Sequence, residues 1–232
     1  MFVTAIVAAA GKGLRLKSKT PKPFVKINGV PIIYHTLKAL RKIKSIKEII
    51  LVTNKKDYPK FQNIISELGI TKIVLGGKRR QDSVRNGLEY LDKDCDLVLV
   101  HDAVRPFIQK KIIEEAINTA RRFGAAVVGV KLKPTVKCID NNGCVANTLN
   151  RGRLFEIQTP QVFKKDLILQ AYSKFGHLDV TDDASLVEKL GKKVKLVEGS
   201  YCNIKITTPE DLVFAEVILR VKKRLEPEFY EL

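Results

Sequence analysis

The chain has 232 residues and a formal charge of +17, from 42 Lys plus Arg against 25 Asp plus Glu. With 45% hydrophobic and 29% charged residues it reads as one folded domain of ordinary size, able to bury a core without disulfide or metal staples, and not as a disordered chain. No apolar run reaches the roughly 18 residues of a membrane span. The four cysteines (Cys95, Cys138, Cys144 and Cys202) include no Cys-x-x-Cys pair, so a reduced, cytoplasmic protein without a zinc site is expected.

The start, Phe2 to Ala10, is apolar but short and has no basic residue before it; it reads as a buried first strand, not a signal peptide. That strand runs from Phe2 to Ala8. Helical periodicity follows over Pro31 to Ile43, with proline at the first turn. Glu48 to Thr53 is a β-branched strand, and Asp57 to Leu68 a helix stopped by Gly69. Lys72 to Leu75 is a short strand ending at Gly76-Gly77, then Asp82 to Leu91 is a helix. Asp96 to His101 is a near-continuous apolar strand, Gln109 to Phe123 a helix closed by Gly124, and Ala125 to Val130 another strand. Strands without polar alternation, separated by helices, predict an α/β fold: a Rossmann-like, mostly parallel sheet covered on both faces.

The alternation breaks at about 131–157, where Thr135 to Ile139, Asp140-Asn141-Asn142-Gly143 and Cys144-Val145 spell a β-hairpin with an Asn-Gly turn. A hairpin alone has too little core to stand free. It reads as an arm inserted into a single domain of residues 1–232, expected to pack on something else, such as a second subunit. Helices over Lys164 to Lys174 and Asp182 to Leu190, strands over Lys193 to Val197 and Asn203 to Ile206, and a helix from Pro209 to about Leu225 complete the chain.

The cations are mostly lysines spread along amphipathic helices, as in Leu37-Lys38-Ala39-Leu40-Arg41-Lys42-Ile43. This is a solvated lysine face, or a field that attracts polyanionic small molecules. The chain has no tryptophan and only 7% aromatic residues, which argues against a nucleic-acid-binding module built on stacking.

The first strand runs into Ala8-Ala9-Ala10-Gly11-Lys12-Gly13-Leu14-Arg15. Small residues here let the backbone approach a ligand at the carboxyl end of the sheet, where successive N–H groups make an anion nest. Neither the dinucleotide fingerprint nor the Walker pattern fits, so the segment is a phosphate loop of another kind or a structural turn. Arg15 follows it, and Lys22 is held between Pro21 and Pro23; such cations suit a transferring phosphoryl group. Asp102, in Val100-His101-Asp102-Ala103-Val104-Arg105-Pro106, ends a buried strand and is either a Mg2+ ligand beside phosphates or a salt-bridge partner of Arg105. In Gly76-Gly77-Lys78-Arg79-Arg80-Gln81-Asp82-Ser83, Asp82 or Ser83 caps the helix, or the glycines admit a base against the backbone.

Read together with Gln158-Thr159-Pro160-Gln161 and Asn203-Ile204-Lys205-Ile206-Thr207-Thr208-Pro209-Glu210-Asp211, these segments closely resemble, in order and over essentially the whole chain, the 2-C-methyl-D-erythritol 4-phosphate cytidylyltransferase family. The resemblance implies a nucleotidyltransferase, GT-A-like fold and a Mg2+-dependent attack of a sugar-alcohol phosphate on the α-phosphorus of CTP, in non-mevalonate isoprenoid synthesis. It implies Arg15 and Lys22 as transition-state stabilisers, and Ala9, Ala10, Gly11 and Gly13 as the backbone cradle of the CTP phosphates. Gly77 and Ser83 would contact cytosine and ribose, Asp102 would sit by the metal, and Ala103 beside the nucleotide. Lys205 and Arg151 would position the acceptor, with Thr135, Thr159 and Thr181 as polar neighbours. The resemblance also implies a homodimer in which the arm carries Thr135 and Arg151 to the partner's site. Two positions depart from the common pattern: Pro23 stands where many relatives have Gln, and Cys202 where many have an acidic residue, leaving Asp102 as the one metal candidate.

The nearest rival is a ribitol 5-phosphate cytidylyltransferase, with the same chemistry and arm. The segments Arg80-Gln81-Asp82-Ser83-Val84 and Thr181-Asp182-Asp183-Ala184-Ser185-Leu186-Val187 resemble the methylerythritol branch more. A sugar-1-phosphate nucleotidyltransferase would be expected to lack the arm.

Overall fold

A computed structural model of the chain describes residues 1–225 with the exception of Lys12, Gly69 and Thr71. The helix stop expected at Gly69 therefore lies outside the described residues, as does Lys12 of the first loop. In chain order the elements are β1 (Val3–Ala8), β2 (Lys26–Ile27), β3 (Val30–Pro31), α1 (Ile32–Arg41), β4 (Ile46–Thr53), α2 (Tyr58–Leu68), β5 (Lys72–Leu75), α3 (Arg80–Leu88), β6 (Leu97–Asp102), α4 (Lys110–Phe123), β7 (Ala125–Lys131), β8 (Lys137–Ile139), β9 (Val145–Thr148), β10 (Phe155–Lys164), α5 (Lys165–Phe175), α6 (Ala184–Lys189), β11 (Lys195–Glu198) and α7 (Pro209–Leu225).

Seven strands form one sheet in the order β11-β7-β10-β6-β1-β4-β5. The pairs β5–β4, β4–β1, β1–β6 and β7–β11 are parallel, as the apolar runs imply. Alternate residues divide between two cores. Val3, Ala5, Val7, Leu97 and Leu99 pack with α1 and α4 on one face. Ile6, Ile50, Val98 and Val100 pack with α3, α5 and α6 on the other. A third cluster joins Leu16, Ile32, Phe107 and Ile206 to Ala215 and Leu219 of α7. It draws the segments after β1 and before α7 to the same end of the sheet.

Two elements correct the expectation from sequence. The arm expected up to about 157 ends earlier, and Phe155–Lys164 is a ten-residue strand, β10, antiparallel to both β6 and β7 in the middle of the sheet. A proline and two glutamines disguise it, because proline is normally excluded from central strands. Here the register slips between Gln158, opposite Val128, and Gln161, opposite Val127, so Thr159 and Pro160 bulge out of the ladder. The strand expected over Asn203–Ile206 does not form. The segment pairs with no strand of the sheet; Ile206 N–H donates to Val104 O instead, at 3.0 Å.

The arm itself is as expected: β8 and β9 pair antiparallel and stand apart from the main sheet. Its turn is a loop with Gly143 at φ +81°. Asp140 Oδ1 accepts from the N–H groups of Asn142 and Cys144, both at 2.9 Å. Among the described residues no helix is long and apolar enough to cross a membrane.

Candidate active site

The last residues of β1 and β6 face each other: Ala8 pairs with Asp102 in the parallel ladder, and Ala103 N–H donates to Ala8 O at 3.2 Å. The chain leaves β1 on one side toward β4 and β5, and returns on the other side as β6. Open α/β sheets bind ligands at such a switch point, beyond the carboxyl ends of the strands. The small-residue loop Ala9–Gly13 starts there, with Ala9 buried and Gly11 exposed.

Gly13 adopts φ +62°, and a Cβ on it would lie 2.8 Å from the Cβ of Lys22. Lys22 therefore crosses the loop directly over Gly13. It sits in a short 3-10 turn, Lys22–Phe24, that Pro21 enters and that buries Pro23. Proline at this early helical position costs no hydrogen bond, which explains how the Pro-Lys-Pro run folds locally. Burial pushes the Lys22 pKa below its usual value, helped by the cations of Lys205 and Arg15; Asp102 and Asp211 oppose the shift. Arg15, exposed on the 3-10 turn Leu14–Leu16, thus shares one electrostatic neighbourhood with Lys22 and Lys205.

The turn after β5 closes a second side. A Cβ on Gly76 would meet Ala10 Cβ at 2.5 Å and Ser83 Oγ at 2.7 Å, so this turn touches the first loop. Ser83 Oγ accepts from Gly77 N–H and donates to Arg79 O, both at 3.2 Å. Its hydroxyl is spent on shaping the turn. Asp82 accepts from Arg79 N–H at 3.0 Å and pairs with the Arg79 guanidinium at 2.8 Å, so it caps α3. Ala9, Ala10, Gly11, Gly13, Gly77, Ser83 and Ala103 therefore do come together. Ala103 is fully engaged, its carbonyl accepting from Thr36 Oγ1 at 2.9 Å.

Asp102 is the centre of a cationic cluster. Lys205 Nζ lies 2.9 Å from Oδ2, Arg80 Nε 3.2 Å from Oδ1 and Arg105 Nε 3.5 Å from Oδ2. Burial alone would raise its pKa; the three cations outweigh burial and hold the carboxyl well below the usual range. The salt bridge to Arg105 considered from sequence exists, as one of three. Behind it runs a relay of hydrogen bonds. Asp102 N–H donates to Thr159 Oγ1 at 3.0 Å, the Thr159 hydroxyl meets His101 Nδ1 at 3.0 Å, and His101 Nε2 meets Arg105 O at 3.1 Å. A carbonyl can only accept, so the chain assigns Nε2–H to a neutral His101. Burial pushes this imidazole down to about 4, which agrees.

Asp102, Lys205, Thr159 and Thr181 line one cleft of about 380 Å3. Thr159 contributes a hydroxyl already committed to the relay. Arg151 and Thr135 are exposed on the arm and do not line this cleft of their own chain. Arg151 instead donates to Lys133 O at 2.5 Å. Two residues that line the cleft, Arg80 and Gln161, and Asn203 beside it were given no role from the sequence. Arg80 reaches both Asp102 and Asp183. Gln161 Nε2 donates to Asp182 Oδ2 at 2.7 Å, and Asn203 Nδ2 to Gln158 Oε1 and Thr159 O at 3.0 Å each, tying β10 to the walls. Their signal in the sequence is weak, since each is a common polar residue whose partner lies 21 to 103 positions away.

The donor set bears on a metal. Among the described residues no group of three or more His, Cys, Asp and Glu side chains could hold one. Cys202 is exposed and supplies no carboxylate. Of the carboxylates that line the cleft, Asp102, Asp182 and Glu188, Asp102 is the one that ends a strand beside the first loop; a single carboxylate there fits an ion carried in on phosphates and not a protein-built cage.

Residues 3–221 match the family described as 2-C-methyl-D-erythritol 4-phosphate cytidylyltransferase. A protein of that name from Clostridium perfringens is 48% identical over 219 residues, 92% of this chain and 97% of its own. Another from Caldanaerobacter subterraneus is 47% identical over 227 residues, 95% and 100% of the two chains. Among solved structures, the 4-diphosphocytidyl-2C-methyl-D-erythritol synthase of Anaerococcus prevotii has a TM-score of 0.84 at 39% identity, covering 94% of this chain and 96% of that one. The 2-C-methyl-D-erythritol 4-phosphate cytidylyltransferase of Thermus thermophilus has a TM-score of 0.80 at 33% identity, covering 95% and 100%.

Proposed function

Because the chain belongs to the 2-C-methyl-D-erythritol 4-phosphate cytidylyltransferase family, we infer that it joins CTP to 2-C-methyl-D-erythritol 4-phosphate and releases pyrophosphate, a step of isoprenoid precursor synthesis. An oxygen of the acceptor phosphate bonds to the α-phosphorus of CTP, and the bond from that phosphorus to the bridging oxygen breaks with its electron pair leaving on pyrophosphate. The product is 4-diphosphocytidyl-2-C-methyl-D-erythritol.

One observation carries the assignment of roles: the first loop with Lys22 and the cleft with Lys205 adjoin at a single edge, through the Ala8–Asp102 pair. Backbone N–H groups of Ala9 to Gly13 suit the triphosphate. Lys22 and Arg15 supply charge where it builds up on the transferring group. The Gly76-Gly77 turn takes the base. Lys205, Thr159 and Thr181 face the acceptor, and Arg151 and Thr135 reach it from a second subunit through the arm. Asp102 would hold a Mg2+ ion bound to the triphosphate, and that ion would supply further charge neutralisation there. Four free cysteines support a reducing, cytoplasmic setting.

The test offers CTP and Mg2+ with methylerythritol 4-phosphate or with ribitol 5-phosphate and measures pyrophosphate. Release with the first acceptor alone is expected. Release with ribitol 5-phosphate alone would move the chain to the pentitol branch, and silence with both would overturn the reading.

A further inference from the structure

Arg80 opens α3, where a first-turn arginine has no helical duty, since its charge opposes the helix dipole. Its guanidinium spans two carboxylates that belong to different parts of the fold. Nε meets Asp102 Oδ1 at 3.2 Å, at the end of β6, and Nη1 meets Asp183 Oδ2 at 2.7 Å, just before α6. The Asp183 side chain is 0% exposed, and its other oxygen accepts from Tyr172 Oη at 2.6 Å. A buried carboxylate needs a countercharge, and among the described residues Arg80 is the one cation paired with Asp183.

These contacts place Arg80 between the two walls of the cleft. Asp102, Thr159 and Lys205 form one wall; Thr181, Asp182 and Ser185 form the other, next to Asp183. We propose that Arg80 is a positioning residue for the acceptor: by bridging Asp102 to Asp183 it sets the separation and orientation of the two walls that receive the sugar-alcohol phosphate. This inference rests on the assignment of the cleft to the acceptor. Charge alone does not do the work. Two carboxylates, Asp102 and Asp183, against three cations, Arg80, Arg105 and Lys205, leave the cluster with one net positive charge. A lysine at position 80 keeps that balance, but a single ammonium on a flexible stem cannot present two divergent N–H groups in a fixed plane.

The experiment compares wild type, Arg80→Lys, Asp183→Asn and the double variant for pyrophosphate release, with KM for each substrate, kcat and the thermal midpoint. Arg80→Lys is expected to raise the acceptor KM by about tenfold or more while the CTP KM stays within about twofold. Asp183→Asn, which keeps the shape and the bond to Tyr172, reads the same split if Arg80→Lys does not fold. The double variant is expected to be no worse than Arg80→Lys, because the two residues act through one contact. An unchanged acceptor KM in an active Arg80→Lys protein would overturn the inference. So would equal rises for both substrates that follow the loss of thermal stability, or additive effects in the double variant. Wild type inactive with methylerythritol 4-phosphate would instead overturn the functional reading on which the inference stands.

Discussion

Ala8 and Asp102 close the β1–β6 ladder opposite one another. That pairing fixes the distance between the loop that follows β1 and the carboxylate that ends β6. It also explains why a buried acid and a run of small residues, about ninety positions apart in sequence, serve one site. Everything proposed for the reaction depends on the groups placed around this edge.

Lys22 depends on Gly13. Gly13→Ala adds a Cβ 2.8 Å from Lys22 Cβ at a φ of +62°. We expect a loss of about 1–2 kcal/mol of stability from the left-handed backbone, and a fall in kcat of about tenfold or more from the displaced ammonium. Gly29→Ala is the control: its φ is +81° and no atom lies within 4 Å, so stability falls while kcat holds. Thermal melts and steady-state kinetics of the two variants check this.

The first loop and the turn after β5, proposed to take the base, touch through Gly76. Gly76→Ala would drive a methyl group to 2.5 Å from Ala10 Cβ and 2.7 Å from Ser83 Oγ. The turn must shift away from the loop. The expected result is a rise of about tenfold in the CTP KM with a much smaller change for the acceptor, read by varying each substrate at saturation of the other.

Lys22 also sets a pH dependence. Its folded pKa lies below the ordinary 10.5, from burial first and then from Lys205 and Arg15. Between the lowered value and 10.5 the unfolded chain holds a proton that the folded chain has released, so this group makes stability rise with pH across that window. With Lys22 in its proposed role, activity is expected to run the other way, because the transferring phosphate would need the cation. The alkaline limb of kcat/KM should fall at a pH below 10.5, and Lys22→Arg should remove the limb even if it lowers the plateau. A pH–rate profile of both proteins checks this.

Much of the fold was legible because β1, β4, β6 and β7 are buried on both faces and read as unbroken apolar runs. β10 was not, because Gln158 and Gln161 are buried polar residues in a central strand. Their partners are Ser200, Asn203, Asp182 and Ala184, which only the folded chain brings near. The same limit hid Arg80, which reads locally as one basic residue in Lys78-Arg79-Arg80 and acquires its meaning from Asp102 and Asp183. Conversely, Asn203–Ile206 has the composition of a strand but lies where no sheet edge is available, and its apolar residues fill the cluster under α7. The small-residue loop, Lys22 and Asp102 were legible because each follows directly on a predicted strand or a proline-fixed turn.

The arm gives a mixing test. Arg151 and Thr135 are exposed and outside their own chain's cleft. If they serve a partner, Lys22→Ala and Arg151→Ala proteins should be poor enzymes alone and recover activity on subunit exchange. Statistical mixing gives one intact site in half of the dimers, or about a quarter of wild-type activity for a two-fold dimer. Exchange shown by mass without any recovery would contradict the shared site.

The central claim is that Lys22 and Arg15 act on the transferring phosphate and not on CTP binding alone. Single-turnover formation of the cytidylyl product, measured beside CTP affinity for wild type, Lys22→Ala and Arg15→Ala, tests it directly. The account predicts that the chemical step slows by about a hundredfold or more in each variant, while CTP affinity falls by less than about tenfold. A chemical step at the wild-type rate in either variant, or a loss confined to CTP affinity, would contradict it.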